Sequence, residues 1–202
     1  MKKHYWGMVK PEDNDHDSPK EPKVLEYEDN RIYFYSEIDR QQILTLNKAL
    51  QSGINDRIIH QQRYSALSPE PLYLHLQSFG GSMFAGLSGM DQILSLRKKV
   101  PIITIVDGCC ASSATFLSVV GTKRQITANS CVLVHQLSSG MWGKFSDLED
   151  EMENMKLLMG KIKEIYKQHT KIPSKRIDEI LKHNLWFDAK KSLEYGIVDE
   201  II

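Results

Sequence analysis

The sequence predicts an α/β domain built on a largely parallel sheet. Three observations lead to it. Short apolar segments at 32–35, 71–76, 101–106 and 131–134 have the length and composition of buried strands. Stretches with apolar residues at helical spacing, or with the small residues of a tight helix, follow them. Gly/Ser-containing stretches at 78–82, 107–112 and 137–143 join the later strands to their helices. Strands that alternate with helices pair in parallel and are covered by those helices. Functional groups in such proteins collect at the carboxyl edge of the sheet.

The elements follow in order. Residues 7–23 are polar, with Pro11, Pro19, Pro22 and the acidic residues Glu12, Asp13, Asp15 and Asp17, so residues 1–23 are expected to form a flexible N-terminal arm. The folded domain is expected over 24–202. Asp39 and Gln42 have capping-box spacing and open a helix with Ile43, Leu46 and Leu50 inward. Residues 53–70, rich in Gln, Arg, Ser and Asn, read as a surface insertion that can include a helical turn. Leu72, Leu74 and Leu76 alternate with Tyr73 and His75 as a strand does. A helix with Met83, Leu87, Met90 and Leu94 on one face comes next.

The second cycle is a strand at 101–106, a turn at 107–112 and a small-residue helix at 112–120. The third is a strand ending on His135 and a long helix from Ser146, capped by Ser146 with Glu149. That helix carries Leu148, Met152, Met155, Met159, Ile162 and Tyr166. Such a stripe serves either an intramolecular core or a helix-to-helix contact between subunits. A helix from Pro173 to about His183 and a closing strand at 197–202 complete the chain.

Composition narrows the function classes. Lys+Arg and Asp+Glu both number 26, so nothing in the charge balance steers the chain toward nucleic acid or an anionic membrane. No apolar run is long enough for a membrane span, and Lys2 and Lys3 are not followed by the apolar core of a signal peptide. Three cysteines, Cys109, Cys110 and Cys131, make a poor disulfide framework and read as small buried hydrophobes in a reducing cytoplasm. No metal site is expected, because no His/Cys group has zinc-ligand spacing, and no phosphate-loop motif occurs. No cofactor is expected.

Ser112 stands where a strand and a glycine-containing turn open a helix. There the free N–H groups of the helix start can hold an oxyanion. An N-cap serine is the plainer reading, and local context does not separate Ser112 from Ser113. His135 ends another strand and can share the same sheet edge; alone, it reads as a satisfied strand-end histidine. Gly80-Gly81 ends a third strand, where backbone can approach a ligand, or simply turn tightly. A serine and a histidine that both end βα units make the pair informative.

Four motifs in this order resemble the ClpP family, the proteolytic subunit of the ATP-dependent Clp protease. They are Ser78-Phe-Gly-Gly81, Gly108-Cys-Cys-Ala-Ser112-Ser-Ala-Thr-Phe, Leu133-Val-His135-Gln136 and Leu193-Glu-Tyr-Gly-Ile-Val-Asp199. The resemblance spans about 24–202. It implies a ClpP/crotonase-like fold of repeated ββα units with a protruding handle at about 136–170. It implies Ser112 as nucleophile, His135 as general base and Gly81 and Ser113 N–H groups as oxyanion hole. The backbone of Gln136, Leu137, Ser138, Ser139 and Gly140 would pair with an extended substrate. The assembly implied is a heptamer or tetradecamer enclosing the sites, with unfolded polypeptide as substrate. A hexameric AAA+ unfoldase or a ClpP paralogue is the implied partner, in the cytoplasm.

The chain departs from that pattern in places. Aligned back from residues 193–199, the family's third triad member falls on Asn184 instead of aspartate. An amide oxygen can orient the imidazole but supplies no charge, so a weakened triad is expected. Phe79 replaces the usual proline before Gly-Gly, and His183 stands where many relatives carry an arginine that pairs across rings. Residues 1–23 do not resemble the family's axial loop. The leading function is serine endopeptidase; the alternative is a non-catalytic or regulatory ring subunit. A crotonase-like acyl-CoA enzyme and a Ser–Lys peptidase using Lys123 are weaker readings.

Overall fold

The computed structural model describes residues 24–138, 140 and 142–202. The expected arm at 1–23 and Ser139 lie outside the described residues. The elements are β1 (Val24–Glu28), β2 (Arg31–Tyr35), α1 (Arg40–Tyr64), β3 (Leu72–Ser78), α2 (Met83–Leu96), β4 (Ile102–Ala111), α3 (Ala114–Ser118) and β5 (Lys123–Ile126). Then come β6 (Cys131–Leu133), α4 (Phe145–His169), α5 (Ser174–Leu181), β7 (Trp186–Phe187), α6 (Ala189–Glu194) and β8 (Glu200–Ile201). The main sheet runs β1-β2-β3-β4-β5-β8, with β6 beside the end of β4 and β7 beside β6. Among the described residues only β1–β2 and β6–β7 pair antiparallel. The predicted α/β class is the observed one. Among the described residues no helix is long and apolar enough to cross a membrane.

Alternation along the strands sets the core. Ile32, Phe34, Leu72, Leu74 and Leu76 are fully buried and meet Ile43, Leu46 and Leu50 of α1 in one hydrophobic cluster. Asp39 caps α1 as its spacing predicts, accepting from Gln42 N–H at 2.7 Å. On the other sheet face Tyr33 stacks on His75, and Tyr35 donates to Asp107 at 2.6 Å.

Several elements differ from expectation. The insertion expected at 53–70 is the second half of α1, which runs unbroken to Tyr64. Gly53 does not end the helix, because its bare Cα packs against Leu72; a Cβ there would come within 3.0 Å of Leu72 Cδ1. Ile54 one residue on is fully buried, and Arg57, Gln61, Gln62 and Arg63 that follow are good helix formers. Ile54→Ala is therefore expected to cost about 2–5 kcal/mol and the half-exposed Ile59→Ala less than about 0.5 kcal/mol. Urea unfolding of both variants checks this, and equal effects would contradict the continuous, docked helix. In α2 the buried line is Met83, Gly86, Gly89, Met90, Ile93 and Leu96, whereas Leu87 and Leu94 sit at its edge. Glycines packed against a neighbouring helix carry no apolar signal, so periodicity misjudged that face. Ser146 does not cap α4. The helix starts at Phe145, and Asp147 caps it by accepting from Lys144 N–H at 3.1 Å.

The most consequential difference is in β4. The turn expected at 107–112 is strand as far as Ala111. Gly108, with φ +86°, bends that strand, and the register shifts: Leu76 faces Val106 while Ser78 faces Cys110. Before the bend β4 pairs with β5; after it, Cys109–Ala111 pair with Cys131–Leu133 of β6. The bend thus carries the end of β4 alongside β6. The long α3 expected to 120 is a single turn, Ala114–Ser118, and the closing strand is Glu200–Ile201. Strands β1, β5 and β7 and helix α6 have no counterpart in the reading above; β5, β7 and α6 are too short for periodicity to register.

Candidate active site

β4 and β6 end side by side, and each delivers one polar residue to the same pocket. Ser112 follows the last residue of β4 and Ser112 N–H donates to Leu133 C=O of β6 at 2.9 Å. His135 stands two residues beyond Leu133. Both line an open pocket of ≈ 80 Å³, together with Gly81, Met83, Phe116, Leu137 and Tyr166. The two side chains share the pocket wall without a mutual hydrogen bond among the described contacts. Acid–base pairs of this kind often tighten only around bound substrate.

Ser112 sits at φ +56°, in the left-handed region that costs a side-chain-bearing residue about 1–2 kcal/mol. Such a conformation turns the chain sharply from strand to helix and projects the side chain outward. The neighbours are shaped for it. A Cβ on Gly80 would lie 2.6 Å from Ser112 Cβ, so only glycine permits this approach. From the other side Tyr166 of α4 donates to Thr115 Oγ1 at 2.6 Å, and Thr115 Oγ1 donates to Ser112 C=O at 2.6 Å. This relay pins the turn to a fully buried helix residue.

The structure separates the two adjacent serines. Ser112 is partly exposed, whereas Ser113 is 3% exposed with its hydroxyl buried and unpartnered. It lies under Gly86 of α2, where a Cβ would meet Ser113 Cβ at 3.0 Å. Ser113 can offer its backbone, not its side chain.

Gly81 is held by a parallel bridge to Ile38. Ile38 N–H donates to Gly80 C=O at 2.9 Å and Ser82 N–H donates to Ile38 C=O at 2.7 Å. In a parallel bridge the flanking residues make the bonds, so Gly81 N–H faces away from Ile38. A Cβ at Gly81 would lie 2.4 Å from Ile38 C=O, which excludes other residues.

His135 is half-buried. Burial pushes its pKa below the ordinary 6.5, and the Asn184 side chain, hydrogen-bonding toward the ring, opposes the shift. The imidazole is thus neutral near pH 7, as a base must be. Turnover that needs neutral His135 is present above its folded pKa and is lost as pH falls through it. The acid limb of kcat/KM is therefore expected below pH 6.5, and a midpoint above 7 would remove His135 as the titrating base.

Asn184 itself is exposed, in the turn between α5 and β7. The pairing of Trp186 with Leu133 brings that turn beside His135. Phe79 stacks edge-on against Trp186, with centroids 6.3 Å apart, and links the glycine turn to the same corner. Past His135, Gln136 N–H donates to Leu181 C=O at 2.7 Å and Leu137 N–H rests on Met159 Sδ at 3.3 Å. Ser138 and Gly140 are exposed. Lys123 is in β5, ion-paired with Glu200 at 2.6 Å, and is not part of this pocket. Sequence reasoning missed Thr115 as the residue that ties down the Ser112 turn, and Phe116 and Met83 as pocket groups. A threonine three residues after a candidate nucleophile, in register to bond its carbonyl, was the available signal for the first.

A bent strand that presents a serine on a left-handed turn, a histidine on its neighbour and glycine backbone opposite is the arrangement of a serine-peptidase subunit of the Clp type. The family model described as Clp protease matches residues 26–202, and the chain belongs to that family of serine-type peptidases. It is 30% identical over 171 residues to the ATP-dependent Clp protease proteolytic subunit 1 of Streptomyces coelicolor, covering 83% of this chain and 77% of that protein. It is likewise 30% identical over 171 residues to proteolytic subunit 3 of Streptomyces avermitilis, with the same coverage of 83% and 77%.

Proposed function

We propose that the chain is a serine endopeptidase that hydrolyses unfolded polypeptide inside a ring-shaped assembly. The observation that carries this is Ser112, held at φ +56° in the pocket it shares with His135. Ser112 Oγ attacks the scissile carbonyl and His135 takes its proton. Gly81 and Ser113 N–H groups receive the oxyanion. His135 returns the proton to the leaving amine, and water then releases the acyl group by the same steps. Asn184 accepts from the imidazole and orients it. The backbone from Leu137 to Gly140 supports a substrate strand, with Gln136 N–H already committed to Leu181.

Self-association is supported by α4. Its first half carries exposed Phe145 and Met152, while Ile162, Ile165 and Tyr166 of the second half are buried in this chain. The buried end supports the core reading of the stripe, and the exposed end supports the subunit-contact reading. The assembly we propose is a heptamer or tetradecamer in the cytoplasm, served by a hexameric AAA+ unfoldase or joined by a ClpP paralogue; the Streptomyces relatives are named as proteolytic subunits of an ATP-dependent protease. One observation favours a second reading, a regulatory subunit: the orienting group is an exposed amide without charge. A serine-reactive organophosphorus probe is expected to label Ser112 alone. Mass mapping checks this, and label on Ser113 or on neither serine would overturn the assignment.

A further inference from the structure

We infer that Cys109 and Cys131 form a reversible disulfide that links the strand carrying Ser112 to the strand carrying His135. The two residues are direct partners in the parallel β4–β6 pairing, so their side chains leave the same face of the sheet. Neighbouring strands lie about 4.8 Å apart, within the Cα separation of about 4.4–6.8 Å that a disulfide spans. Both thiols are free and half-buried, so a small oxidant can reach them. Cys110 between them in sequence is fully buried on the opposite side of the strand. Burial raises the Cys109 thiol, a Ser78 backbone contact works against that, and the charge of Cys131 adds to the rise. Only one of the three cysteines thus behaves as the buried hydrophobe expected from sequence.

The chemistry needs an oxidant, and hydrogen peroxide suffices. One thiolate attacks a peroxide oxygen and expels hydroxide, leaving a sulfenic acid. The other thiolate attacks that sulfur and expels the second hydroxide. With the two thiol protons the sum is one disulfide and two waters; sulfur is oxidised and peroxide oxygen reduced. A dithiol reverses it by exchange. A bond joining directly paired parallel strands must draw the two Cβ atoms from about 5 Å to about 4 Å. That strain makes the bond easy to reduce, as a switch requires.

The consequence follows from chain position. Ser112 is three residues past Cys109 and His135 is four past Cys131. Drawing β6 toward β4 moves the base relative to the nucleophile, and a displacement near 1 Å can cost about 10²-fold in rate. This effect on turnover rests on the proposed role of Ser112; the bond itself does not.

The experiment treats the full chain with hydrogen peroxide, then with dithiothreitol. The oxidised chain is expected to lose about 2 Da, the mass of two hydrogens, without intermolecular cross-links. A tryptic map should join residues 100–123 to the peptide holding Cys131. Cys109 and Cys110 share that first peptide, so Cys110→Ala must keep the link and Cys109→Ser and Cys131→Ser must lose it. Peptide turnover should fall at least tenfold on oxidation, recover on reduction, and be indifferent to peroxide in Cys109→Ser. Absence of the link, a link through Cys110 or between chains, or undiminished turnover in linked protein would overturn the inference. Mass reads the bond whether or not Ser112 turns over peptide, so failure of the thiol pair and failure of the active-site assignment remain distinguishable.

Discussion

Ser112→Ala is expected to lower steady-state hydrolysis of a short fluorogenic peptide by about 10⁴- to 10⁶-fold, the loss typical when a covalent nucleophile is removed. The backbone gives this prediction a second half. Ser112 lies at φ +56°, and alanine is as strained there as serine. Ser112→Gly relieves that strain and should be more stable than Ser112→Ala by about 1 kcal/mol, while losing turnover to the same extent. Activity and stability then move in opposite directions at one position. That is what a strained functional turn requires and a plain helix cap does not. Peptide hydrolysis and thermal melting of the three proteins, with light scattering to check that each assembles alike, read both halves. Wild-type turnover equal to that of Ser112→Ala would end the claim that this chain is an enzyme by itself.

Asn184→Asp is expected to raise turnover about 10- to 1000-fold. An amide can hold the imidazole tautomer that presents a free nitrogen to Ser112, but only with its oxygen toward the ring. It offers nothing to the imidazolium that forms as Ser112 attacks. A carboxylate supplies both. In a serine peptidase of unrelated fold the opposite change, Asp to Asn, costs about 10⁴ with the geometry kept. Asn184 is exposed, so water competes for its hydrogen bond and screens any charge placed there; the gain should therefore fall short of that full factor. The new carboxylate also favours protonated His135, so the acid limb of the pH profile should move to higher pH than in the wild type. A gain in rate with that shift identifies position 184 as the orienting residue. No gain and no shift would show that His135 is oriented by another group, and a fall in rate would show a pocket specialised around the amide.

Much of the fold was legible because it rests on local patterns. The alternation in 72–76 and the Asp39 cap each act within a few residues, and the structure has them where periodicity places them. The candidates Ser112, His135 and Gly81 were legible for a related reason: each follows closely on a strand, and strand ends in a parallel sheet lie on one edge. Long-range contacts decided the rest. Gly53, Gly86 and Gly89 carry no apolar side chain, yet each lies at a close packing contact, so the length of α1 and the buried face of α2 were misread.

The sequence alone thus determines the α/β class and the strand-end serine and histidine, because periodicity and turn chemistry are local. Local sequence reasoning left open the choice between Ser112 and Ser113, since both have the same neighbours in the chain, and only the family resemblance pointed to Ser112. Burial of Ser113 beneath α2 and the bend of β4 at Gly108 separate them, and both depend on elements distant in sequence. The pairing of Cys109 with Cys131 is of the same kind. Strands that begin twenty-nine residues apart, at 102 and 131, come into register only once the sheet is formed.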